Sequence, residues 1–183
     1  MFIDQIRIGD NLKLKYGMPN ESILQDGNGQ YTDDDIVTND DYGFIYIPYR
    51  LDAINNAKLD RVARNMVSSP FSGCLLVAWQ TWEGVYVGHV SKDEVRKEKT
   101  PSFIKWNQDK EDFLRYVEFR PSDYIDDTKP LNACYGLLAF SNVCNTVTGY
   151  CIGTEAGKIA GDTIVNQIHR VDLEWVNNPY LTK

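Results

Sequence analysis

Two apolar runs dominate the middle of the chain. "CLLVAW" (Cys74–Trp79) is unbroken, as in a central strand buried on both faces. "VYVGHV" (Val85–Val90) sets Val85, Val87 and His89 on one face and Tyr86, Gly88 and Val90 on the other. "QTWEG" joins them, so the pattern predicts a β-hairpin with a loop of about five residues. "GFIYIPYR" (Gly43–Arg50) reads as a strand that Pro48 ends or pushes to an edge. "NACYGLLAFSNVCNTVTGYCIG" predicts a second hairpin, with strands near 133–141 and 145–152, and "TIVNQIHRVDLEWV" a long bent strand or a strand pair. Helical spacing is clearest in "LDAINNAKLDRVARNMVSS". Leu51, Ile54, Lys58 and Val62 form one stripe there, and Ser68, Ser69 and Pro70 stop it. "NQDKEDFLRYVEF" predicts a short helix leading into a strand, and residues 1–30 read as short strands and turns. The Gly-, Asp- and Asn-rich "QDGNGQYTDDDIVTNDDYG" and the charged "SKDEVRKEKTPSF" read as exposed loops. Strands outnumber helices. The expectation is one α+β domain over 1–183, an antiparallel sheet or β-sandwich core flanked by helices.

The formal net charge of −7 repels a phosphate backbone, which argues against nucleic acid and leaves a basic patch on a protein as a suitable partner. No apolar stretch is long enough for a membrane helix. The first residues carry charges throughout and lack an apolar signal core, which implies a cytoplasmic protein or one exported without a Sec signal peptide. A calcium loop counted from Asp26 would need Gly and Glu where Tyr31 and Val37 stand. "TEAGKIAGDT" fails as a phosphate loop, because Ile159 follows Lys158 where Ser or Thr is required. No metal or cofactor is expected. Cys74, Cys134, Cys144 and Cys151 contain no C-x-x-C pair, and a Cys144–Cys151 bridge would need an oxidising compartment.

The candidate chemistry lies in "SSPFSGCLLVAWQTWEGVYVGHV" (Ser68–Val90). A hairpin centred between residues 81 and 82 sets Cys74 directly opposite His89, where opposed Cβ atoms are roughly 4.5–5.5 Å apart. An imidazole there can draw the thiol toward thiolate, the nucleophilic form. Ser68 is a candidate to orient the ring. Ser72 and Gly73 form a small-residue turn whose backbone N–H groups could hold an oxyanion. The competing structural reading is a thiol and an imidazole that merely pack in a hairpin. His169 is an alternative base, and Trp79, Trp82 and Tyr86 could wall the site against water.

Ser68, the "SGC" of Ser72–Cys74 and His89 together resemble the toxin and chemoreceptor glutamine deamidases. That group includes the catalytic domain of cytotoxic necrotizing factors, Burkholderia lethal factor 1 and the CheD-like chemoreceptor deamidases. The resemblance covers about residues 68–90. It implies a β-sandwich flanked by helices, Cys74 as nucleophile, His89 as base and Ser68 at a position where several of these enzymes carry Thr. Phe71 replaces the Leu of their L-S-G-C motif. The implied activity is deamidation of a glutamine on a partner protein, such as a small GTPase, a translation factor or a receptor, by a bacterial effector or toxin. The alternatives are a non-enzymatic acidic binding module, such as an immunity or adaptor protein, and a papain-type cysteine amidase or peptidase.

Overall fold

The computed structural model describes residues 2–19, 29–59, 65–92, 100–141 and 146–181. The fold is α+β and dominated by two six-stranded, mostly antiparallel sheets. The strands are β1 (Tyr31–Thr32), β2 (Val37–Asn39), β3 (Phe44–Pro48), β4 (Ile54–Lys58), β5 (Asn65–Ser69), β6 (Leu75–Thr81), β7 (Gly84–Val90), β8 (Arg115–Phe119), β9 (Ala133–Phe140), β10 (Val147–Ala156), β11 (Thr163–Leu173) and β12 (Val176–Asn177). One sheet runs β11-β10-β9-β5-β3-β2 and the other β1-β4-β7-β6-β8-β12. The pairs β3–β5 and β1–β4 are parallel.

Alternation along the strands divides the apolar residues into three layers. Ile47 and Met66 of the first sheet meet Leu76, Ala78 and Val87 of the second between the sheets. The outer face of the first sheet is covered by Phe2, Ile3 and Ile6 from the N-terminal segment, and by Leu12 and Tyr16 of α1 (Leu12–Tyr16). The outer face of the second lies under Trp106 of α2 (Pro101–Asp109), against Val77 and Trp79. Each Val, Leu, Ile, Phe or Met among them, fully buried, contributes about 1.5–3 kcal/mol.

The central hairpin forms as β6 and β7, and the second as β9 and β10. Three expectations are corrected. The predicted helix at 51–69 is instead β4 and β5 on either side of residues 60–64, which lie outside the described residues. Its polar positions are not a solvent face: Asn55 donates to the Pro48 carbonyl at 2.9 Å and Asn56 to that of Thr32 at 2.7 Å, which ties β4 to neighbouring chain. In the N-terminal segment, a 3-10 turn (Phe2–Gln5) and α1 stand where short strands were expected. The Gly/Asp-rich loop contains β1 and β2, and of "SKDEVRKEKTPSF" residues 93–99 lie outside the described residues while Pro101–Phe103 begin α2.

Candidate active site between the sheets

β3 and β5 run parallel with Ile47 beside Ser68, and the Ser68 hydroxyl donates its proton to the Ile47 carbonyl. Ser68 Oγ also lies 2.7 Å from Nδ1 of His89, which reaches across from β7 in the other sheet. A serine hydroxyl has one proton, and here the carbonyl takes it. The bond to His89 is therefore donated by Nδ1–H. This fixes the tautomer: His89 carries its proton on Nδ1 and presents a bare lone pair at Nε2. Nε2 is buried and has no hydrogen-bond partner among the described residues. Burial pushes the His89 pKa down to about 3, so the ring is neutral at pH 7.

Packing holds the ring in place. Phe71 stacks on it with centroids 4.4 Å apart and planes 8° from parallel, and Tyr49 meets it edge-on at 5.4 Å. Phe71 can lie there because residue 136, beside Ser68 on β9, is glycine. A Cβ at that position would come within 2.6 Å of the Pro121 ring and 2.9 Å of the Phe71 ring. The Phe71 N–H donates to the Cys134 carbonyl at 3.1 Å, and Ser69–Pro70 is a cis peptide.

Cys74 precedes β6. The expected register is corrected here: Leu76, not Cys74, pairs with His89, and the hairpin closes through the two-residue turn Trp82–Glu83 between Thr81 and Gly84. Cys74 is two positions beyond Leu76 toward the open end of the hairpin, so it is the diagonal neighbour of His89 on the same face. Diagonal partners are roughly 7–8 Å apart, and Nε2, which has no hydrogen-bond partner among the described residues, is not in bonding contact with the Cys74 sulfur. The thiol is gripped by one backbone unit, accepting from the Lys92 N–H at 3.3 Å and facing the Lys92 carbonyl at 3.5 Å. Cys74 is 3% exposed and His89 1%. Just before the thiol, Ser72 is exposed and Gly73 half-buried, with Gly73 at φ 135°, a conformation that favours glycine. The small-residue turn thus reaches the surface, while the thiol behind it stays buried.

Other candidates lie elsewhere. Trp79 and Tyr86 sit on the outer face of the β6–β7 sheet, so they do not wall the Cys74–His89 face. His169, on β11, pairs with Cys151 of β10, and its Nε2 lies 3.2 Å from Gln167 Oε1. Cys144 lies outside the described residues, while Cys151 has its sulfur 3.7 Å from that of Cys134. That neighbouring thiol and burial push the Cys134 pKa up. No group of three or more His, Cys, Asp or Glu that could hold a metal occurs among the described residues. Sequence reasoning missed the Ile47 carbonyl, Tyr49 and Asn55, the last opposite His89 on β4. A backbone acceptor leaves no mark in a sequence, and Tyr49 and Asn55 lie in segments read as a strand end and a helix. No family model, curated protein or solved structure matches this chain.

Proposed function

We propose that the chain is a cysteine-dependent amidohydrolase that deamidates a glutamine side chain on a partner protein, acting as a bacterial effector or toxin. One observation carries the reading: Ser68 fixes His89 in the tautomer that bares Nε2, on the face that also carries Cys74. This is the tautomer a general base needs, and the cycle requires the Cys74 thiol to move within reach of Nε2 once it leaves the Lys92 backbone. The resemblance of residues 68–90 to the glutamine deamidases supplies the reaction class.

In the proposed cycle, Nε2 takes the Cys74 proton and the thiolate attacks the carboxamide carbon. Backbone N–H groups of the Ser72–Gly73 turn stabilise the oxyanion. The C–N bond breaks as His89 returns the proton to nitrogen, releasing ammonia and leaving a thioester. Water, deprotonated by the same nitrogen, cleaves the thioester to glutamate and restores the thiol. The partner gains one negative charge. Because Cys74 and His89 are sealed and Lys92 grips the sulfur, substrate must displace the Lys92 backbone. Entry of a carboxamide and water removes the burial that depresses the ring's proton affinity.

Cys74→Ala and Cys74→Ser are expected to fold and to release no ammonia from glutamine-bearing protein substrates, and His89→Ala is expected to do likewise. A folded Cys74→Ala protein with full deamidation ends the proposal. The second reading, an acidic protein-binding module, is favoured by the burial of both side chains. Ammonia release from glutamine-bearing proteins separates the two: the enzyme releases it in a Cys74-dependent way and the module releases none.

A further inference from the structure

On the face of the hairpin sheet turned away from Cys74 and His89 lies an open cleft of about 590 Å³, and its floor is aromatic. Trp79 stacks against Tyr86 at 5.5 Å and against Phe113 at 5.6 Å. Trp82, in the hairpin turn, overhangs the cleft and is 79% exposed. Carboxylates stand at the same cleft. Glu83 accepts from the Tyr86 hydroxyl at 3.2 Å, Asp109 is paired with Lys105 at 3.0 Å, and Asp112 has no ion-pair partner among the described residues. The rings here already accept cations: Lys58 Nζ lies 5.7 Å from the Tyr86 ring and Lys105 Nζ 5.4 Å from that of Tyr31. No described cation lies over Trp82.

We propose that this cleft binds a lysine or arginine side chain presented by a basic segment of a protein partner. Aromatic faces attract a cation through their quadrupoles, and Asp112 and Glu83 add the complementary charge. The chain's net charge of −7 steers such a segment toward it. A single ammonium would leave most of the cleft empty, whereas a lysine with its flanking residues would fill it. An exposed Trp beside a pocket is the residue type that anchors protein partners.

The test uses the full chain and a capped nine-residue peptide of alternating lysine and glycine, followed by NMR of the Trp79 and Trp82 indole signals. The expected result is that the peptide shifts both signals and that adding salt weakens binding. Replacing its lysines with norleucine should weaken binding at least tenfold, Trp82→Ala at least fivefold, and Asp112→Asn should flatten the salt dependence. Trp82 and Asp112 are at the surface, so both variants keep the fold. Equal binding of the norleucine peptide, or unchanged binding to Trp82→Ala, overturns the assignment. So does tetramethylammonium binding as tightly as the peptide, since the site would then be one for a small organic cation. The readout involves no turnover, so its outcome is separate from that of the deamidation reading.

Discussion

At Ser68 one hydroxyl settles the protonation of a ring in the opposite sheet. Its single proton is committed to the Ile47 carbonyl, so its lone pair receives Nδ1–H from His89. Removing the hydroxyl strands that donor in a dry interior, at a cost of about 1–3 kcal/mol. It also frees the ring to carry its proton on Nε2, which cannot act as a base. Ser68→Ala is therefore expected to lower kcat by about tenfold or more, equivalent to about 1.4 kcal/mol in the barrier, with KM little changed. Ser68→Thr restores the hydroxyl and is expected to recover most of the rate. Steady-state kinetics of both variants on one glutamine substrate decide it. An equal loss in Ala and Thr would assign Ser68 to packing alone. The hydroxyl's place six residues before Cys74 was legible in the sequence, because a resemblance pointed to it. Its acceptor was not, because the Ile47 carbonyl is backbone and is brought alongside only when β3 and β5 pair in parallel.

Among the elements, the strands with unbroken or alternating apolar residues were readable. β3, β6, β7, β9 and β11 fall where the pattern set them, and β10 runs on to Ala156, past its expected end near residue 152. The hairpin register was not. Gln80 and Thr81 stay in β6, where Gln80 accepts from Arg115 Nε at 2.6 Å, so the loop shrinks to Trp82–Glu83 and the pairing moves by two positions. That shift keeps Cys74 and His89 on one face but makes them diagonal. The 51–69 segment misled for a different reason. Buried Asn55 and half-buried Asn56 satisfy backbone carbonyls, a use of polar side chains that periodicity counts as exposure. Contact between β9 and the site is equally invisible locally: Gly136 makes room for Phe71, which in turn stacks on His89. Gly136→Ala is expected to cost about 1–3 kcal/mol by overpacking and to tilt the Phe71 ring off His89. The urea midpoint reports the first effect, and the ring-current shift of the His89 proton signals reports the second. A normal midpoint with unshifted His89 signals would remove Phe71 from the account of how the imidazole is held.

For the whole molecule, enclosing His89 between two sheets couples stability to pH. The folded ring resists protonation down to about pH 3, whereas in the unfolded chain it titrates near its ordinary value of 6.5. Between those values the unfolded state binds more protons, so stability is greatest above about pH 6.5 and falls as pH drops through the window. The limiting slope is about 1.4 kcal/mol per pH unit. Asp10 acts lower. A hydrogen bond from Lys15 is the main cause that holds its pKa at about 2, below the ordinary 3.8, so its contribution is lost only as pH falls from about 4 toward 2. The interval from 6.5 to 4.5 therefore belongs chiefly to His89. Acidification from neutrality also trims a net charge of −7 and relieves self-repulsion, an effect of the opposite sign. A decline in this interval runs against that background. Urea denaturation at pH 7, 5.5 and 4.5 is expected to show the native protein losing about 2–3 kcal/mol across the range. His89→Gln keeps a donor for Ser68 but cannot titrate, and it is expected to be flat over the same range. Parallel acid profiles for the two proteins would mean that the imidazole takes up its proton without unfolding the sandwich, and that the space between the sheets is wet enough to hold a charge.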